Sequence, residues 1–174
     1  TIADNNVPVS TGAYGGGVGL KDSAALITNS ILWGNEAQSQ PTNGPQLAMS
    51  GGSATVRYTD AQGGFEATSR RFGPTLNWGP ANIGEILPPT FEHHDPGFVD
   101  TDGPDNNPDT WADNDYRVTI GGSPVNDVGN NLDLATDVAD LDADLDFVEV
   151  VPYDLKGATR RGDDPDTAAT GLPA

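Results

Sequence analysis

Ser30-Ile31-Leu32-Trp33-Gly34-Asn35 is one of three related phrases in the first third of the chain. The others are Thr1-Ile2-Ala3-Asp4-Asn5-Asn6 and Arg57-Tyr58-Thr59-Asp60-Ala61-Gln62. Aligned on their apolar second residues, Ile2, Ile31 and Tyr58, they start 29 and then 27 residues apart. A period in the twenties, built from one short strand and a turn ending in an amide, predicts a stacked solenoid. A unit this small cannot bury its own apolar face and must lie against a neighbour. Ile31, Trp33 and Tyr58 are therefore the expected core or stacking residues.

The residues around each phrase extend the pattern. Gly15-Gly16-Gly17 leads into Val18-Gly19-Leu20, an alternating strand opening. Ala25 to Trp33 is rich in branched and aromatic residues, and Gly34-Asn35 closes it as a turn. Ser53 to Thr59 repeats this one unit on, closed by Gly63-Gly64. Residues 1–65 thus read as solenoid coils. Residues 66–99 read as a long loop: Arg70-Arg71-Phe72-Gly73-Pro74 and Pro88-Pro89 interrupt regular structure, and Phe72, Trp78 and Phe91 offer apolar anchors. Residues 100–174 read as an acidic capping segment with short apolar pieces at 116–120 and 147–151 and a short helix expected over 133–141. The end of the chain, from 162, reads as extended.

Composition supports turns over helices. The 174 residues include 22 Gly and 14 Pro, and only 35% are hydrophobic; both residues suit tight turns and weaken helices. Twenty-six acidic residues against 8 basic ones give a net charge of −18. A nucleic-acid partner is not expected, since phosphate binding needs a basic face. The absence of cysteine excludes disulfides, zinc–thiolate sites and thiol nucleophiles. No apolar run is long enough to span a bilayer.

Asp100-Thr101-Asp102-Gly103-Pro104-Asp105-Asn106-Asn107-Pro108-Asp109 has the oxygen density of a calcium loop. Its candidate ligands are Asp100, Asp102, Asp105, Asn107 and Asp109, and Ca2+ is the one cofactor the sequence suggests. The spacing is not that of an EF-hand, because Gly103 stands fourth and no Glu stands twelfth. The same residues also close Asx turns without metal. Asp140, Asp142, Asp144 and Asp146 alternate, as on a solvated edge strand. His93, His94 and Asp95 adjoin, but neighbouring residues point in different directions, and the chain has no further histidine. No nucleophile elbow or phosphate-binding glycine loop occurs. The expectation is that the chain is not an enzyme.

Gly15-Gly16-Gly17-Val18, then Thr28 to Asn35, then Tyr58 to Gly64 resemble the last coils of bacterial right-handed parallel β-helix repeat proteins. Asp95-Pro96-Gly97-Phe98-Val99-Asp100, Gly122 to Gly129 and Asp154-Leu155-Lys156-Gly157 are similar, in that order, to the segment that follows the coils there. The resemblance covers most of the chain. It implies a secreted or cell-surface protein with a structural or adhesive role. The fold expected is all-β: a short right-handed parallel β-helix with long loops and an acidic, loop-rich C-terminal segment.

Two departures from that family shape the functional expectation. Its many amino-terminal coils are missing here, and so is its closing strand. An uncovered β-helix end exposes a row of unpaired N–H and C=O groups. Stacking of copies end to end, or addition of a strand to a neighbour, satisfies them. Thr1, Ile2, Ala3, Asp4, Asn5 and Asn6 are the expected assembly interface. The function expected is an extracellular structural subunit that polymerises with itself into a filament or surface layer. The alternatives are the end of a large adhesin or carbohydrate-binding β-helix, with an extracellular polysaccharide as partner, and a calcium-dependent polysaccharide lyase.

Overall fold

A computed structural model describes residues 1–8, 14–37, 44–84, 95–107, 109–110, 112–119, 121–126, 128–140, 145 and 147. They form an all-β structure in which nine strands build parallel sheets. The strands are β1 (Ile2–Ala3), β2 (Asn6–Val7), β3 (Val18–Lys21), β4 (Ala24–Trp33), β5 (Glu36–Ala37), β6 (Leu47–Ser50), β7 (Ser53–Ala61), β8 (Thr68–Arg71) and β9 (Thr75–Trp78). One sheet runs β1-β4-β7-β9, a second β3-β6-β8, and a third pairs β2 with β5. The chain visits these sheets in rotation, so strands adjacent in a sheet are a full layer apart in sequence. A two-stranded antiparallel unit, β10 (Phe98–Asp100) with β11 (Asp115–Val118), follows.

The corners between strands repeat as faithfully as the strands. The parallel register sets Asp22, Gly51 and Phe72 level with one another, and all three have positive φ (48°, 74° and 59°). Asn29 and Tyr58 make a second column (φ 48° and 49°), and Ala81 (φ 55°) joins it one layer on, counted from the Asp60–Ile83 bridge. Asp4, Gly34 and Gly63 make a third (φ 53°, 64° and 77°). A left-handed residue turns the chain within one step, so each column marks a corner at which every layer bends alike. After the second corner Ser30 and Thr59 each bond back two residues, to the carbonyls of Thr28 and Arg57.

The core lies between the two larger sheets. Leu47 and Met49 of β6 face Ala54 and Val56 of β7, with Val18, Leu20, Ile27, Leu76 and Trp78 packed around them. Alternation explains the choice: Ile27, Val56 and Trp78 share one rung, and Leu20 and Met49 another. Burying a side chain of this size stabilises by about 1.5–3 kcal/mol. Beyond the third corner the interior is filled by amides. Asn35 and Gln46 are buried; Asn35 Nδ2 donates to Gln46 Oε1 (2.7 Å) and to the Ile2 carbonyl (2.9 Å). Asn5 donates to Asn35 Oδ1 through its backbone N–H (3.1 Å) and its side chain (2.9 Å). The Gly34 N–H bonds Gln62 Oε1 at 2.9 Å. The amide-ended turns of the repeat therefore stack on one another.

Three features differ from the sequence reading. The register pairs Ile2 with Leu32, and Ile31 with Asp60, so the phrases slip by one residue and then by two against their alignment on Ile2, Ile31 and Tyr58. A one-residue slip exchanges the two faces of a strand, so Leu32 rather than Ile31 is the buried residue of that phrase in β4. It pairs with the buried Ala61 of β7, and Ile31, Trp33 and Tyr58 are half-buried. The strands also continue beyond residue 65: β8 and β9 extend both large sheets, and the breakers Phe72-Gly73-Pro74 form the corner between them. Layers shorten there, from 29 residues between β6 or β7 and the strands before them to 21 and 22, which hid the repeat. No α-helix occurs among the described residues: over 133–140, where the sequence predicts a short helix, only Asp133 is helical, as the end of a 3-10 turn (Asn131–Asp133), and Leu134 is already extended.

Candidate functional site

Alternation places Gly19, Ala48 and Ser69 in one rung on the outer face of the β3-β6-β8 sheet, opposite the core residues Leu47 and Met49. The rung beside it on that face is Lys21, Ser50 and Arg71. The first rung has almost no side-chain height and the second is basic at both ends. With Tyr14 and Phe72 they line a trough of about 380 Å³. The Arg71 guanidinium lies 4.1 Å from the centre of the Tyr14 ring. Phe72, at the corner after β8, is 87% exposed.

The residues expected to assemble lie elsewhere. Ile2 and Ala3 pair with β4, Asn6 with β5, the Asp4 N–H bonds the Trp33 carbonyl and Asn5 belongs to the amide stack, so residues 2–6 are held on one side by their own chain. Asp4 and Trp33 line a second cleft of about 300 Å³ with Asp95, Phe98 and Thr101. The Asp4 carboxylate rests against Gly34, where any Cβ would collide with it. Tyr116 stands near, packed edge-on against Phe98 at 5.4 Å. Burial raises its phenol pKa, the Asp4 carboxylate adds to the rise, and the Asn114 amide opposes it.

The candidate calcium ligands share a loop closed by its own hydrogen bonds. Asp105 Oδ1 accepts from the Asn107 N–H (3.0 Å), and its Oδ2 from the Thr110 hydroxyl (2.7 Å). Asn107 Oδ1 accepts from the Asp109 N–H at 3.1 Å. Among the described residues no three Asp, Glu or His side chains converge as a cation would require, and Asp100, Asp102, Asp105 and Asp109 are no exception. His93, His94, Phe91, Asp142, Asp144 and Asp146 fall outside the described residues.

Two features of the structure were not expected from the sequence. Asp60 is 2% exposed, and among the described residues neither carboxylate oxygen has a hydrogen-bond partner. Burial, and secondarily the Asp95 carboxylate, pushes its pKa up to about 7. Its one sequence signal is a lone acid inside the strand run Thr59-Asp60-Ala61. The second feature is a clasp between the acidic segment and the parallel sheet. Asp133 accepts from Arg57 Nη2 at 2.5 Å and from the Thr28 hydroxyl at 3.0 Å. Asn29 donates to the Asn130 carbonyl (2.9 Å) and accepts from its N–H (2.7 Å), as a strand neighbour would. These partners are 76 to 105 residues apart, and nothing local in the sequence joins them.

In comparisons with known proteins, the chain matches no family model, no curated protein and no solved structure at a significant level. Among the described residues no helix is long and apolar enough to cross a membrane.

Proposed function

We propose that the chain is a structural module of a right-handed parallel β-helix, non-catalytic and extracellular, that joins copies of itself by adding strands at the edges of its parallel sheets. The observation carrying this reading is the rotation of the chain through the same sheets, with left-handed corners stacked in columns. A parallel connection of this kind is right-handed in nearly all proteins. Such a body is quasi-one-dimensional: each layer touches its neighbours, and growth proceeds along the stack.

The edges suggest how copies would meet. Val18 and Asp22 donate to the carbonyls of Gln46 and Ser50. In a parallel ladder alternate residues bond the same side, so Gly19 and Lys21 turn their N–H groups away from β6. On β1 the Asp4 N–H donates to the Trp33 carbonyl, which leaves the Ala3 N–H outward. Direct stacking of β8 on β3 of a second copy would set Arg71 beside Lys21, a like-charge contact. That repulsion favours addition of an extended strand over coil-on-coil contact.

Light scattering across a concentration series, with electron microscopy of the same samples, tests the reading. We expect concentration-dependent growth into elongated particles. Gly19→Pro and Ala3→Pro remove outward donors without touching a ladder bond, so they should cut growth while circular dichroism stays native. A wild-type chain that stays monomeric at high concentration overturns the proposal.

A further inference from the structure

We propose that the trough on the outer face of the β3-β6-β8 sheet binds a carboxylate-bearing polysaccharide: Arg71 and Lys21 take the carboxylate, and Phe72 stacks on a sugar face. Charge gives the first argument. In a chain of net charge −18, a basic site needs a reason. Two of the arginines are neutralised, Arg57 by Asp133 and Arg117 by Asp115. Among the described residues Lys21 and Arg71 have no carboxylate partner, yet the register holds them on one rung. Arg71 is steadied by the Tyr14 ring, which leaves the edge of its guanidinium, the part that grips a carboxylate, free.

Phe72 gives the second argument, and it is independent of charge. Its column mates are Asp22 and Gly51, and a left-handed φ of 59° suits glycine far better than a bulky aromatic. The ring is also 87% exposed, so burial does not compensate for the strain. A strained residue with no packing role points to function. Ser50 and Gly51 lie between Lys21 and the Arg71–Phe72 end of the trough, and the adjoining rung of Gly19, Ala48 and Ser69 adds no height, Ala48 and Ser69 being almost covered. A trough of about 380 Å³ with an apolar floor and a few convergent polar groups has the build of a ligand site. An acidic peptide would match the charge alone. The exposed ring beside a flat floor favours a sugar, whose C–H face stacks on an aromatic while its ring carboxylate reaches the cations.

Calorimetry of the full chain with oligogalacturonate tests this, in about 0.1 M salt, which screens charges beyond roughly 10 Å but spares contact pairs. A neutral glucan of matched length and poly-aspartate serve as comparators. We expect oligogalacturonate to bind and both comparators to bind at least about tenfold more weakly. Phe72→Gly should weaken binding about tenfold without lowering the melting temperature, since glycine suits that corner. Lys21→Gln with Arg71→Gln should abolish binding, and Arg117→Gln should leave it unchanged. Absence of binding by the wild-type chain, or wild-type affinity in Phe72→Gly, overturns the proposal. Equal affinity for poly-aspartate overturns the assignment to a saccharide.

Discussion

Asp60 is the residue at which stability and pH meet. Its folded pKa, about 7, lies above the unfolded value near 3.8. The charge penalty of burying this carboxyl is therefore absent below about pH 4, grows as pH rises toward 7, and stays in full above it. Asp60→Asn should be more stable than wild type at pH 8 by about 2 kcal/mol or more, the charge term being partly offset by an amide without partners. The gap should close by pH 4 in thermal melts at both pH values. A gap that does not change with pH would remove Asp60 as its cause. Leu32 gives the complementary test, because register alone distinguishes it from Ile31. Leu32 is 1% exposed, and Leu32→Ala should cost about 3 kcal/mol in a denaturant titration. Ile31→Ala, at a half-buried position, should cost less.

At the scale of elements, the acidic segment is held to the parallel sheet by a few polar contacts. Asp133→Ala removes the partner of Arg57, whose Nε is already buried without a hydrogen bond. We expect a loss of about 1–3 kcal/mol and faster proteolysis after residue 118, with the β4–β7 ladder still protected from hydrogen exchange. Equal loss of protection in β4 would mean that the two parts unfold as one. The loop at residues 100–109 makes a separate prediction. Its side chains already satisfy its own N–H groups, so the melting temperature should not respond to a chelator. A fall of several degrees on chelation would assign Ca2+ to the loop by linkage. Strands β3, β4 and β7 were legible from the sequence because alternation and branched residues mark them. β8 was not, because Ser69, Arg70 and Arg71 carry no apolar alternation and borrow their strand form from β6. β9 does alternate at Leu76 and Trp78, but the breakers before it and the shortened layer of 22 residues hid it.

For the whole molecule, charge is the dominant long-range term. With 26 acids against 8 basic residues the folded chain repels itself. Raising sodium chloride from low levels to about 0.3 M should therefore raise the melting temperature, since screening reaches inward to about 6 Å or so at that strength. The proposed assembly should grow stronger over the same range, because neighbouring copies share the sign of charge. A melting temperature that falls with salt would mean that ion pairs such as Arg57–Asp133 outweigh the repulsion.

The sequence by itself determined the all-β class, the presence of a repeat, the positions of several turns and the use of amides to end them. Those are local matters: glycine, asparagine and branched residues act on the chain beside them. Tertiary structure alone decided the register, and with it which of Ile31 and Leu32 is buried. It also decided that Gly19, Ala48 and Ser69 make one floor, that Lys21 and Arg71 share a rung, and that Asp133 reaches Arg57. Layers of unequal length bring such residues together, and a period read from three short phrases is too coarse to count them to a single residue. A parallel sheet turns an error of one residue into an exchange of inside and outside.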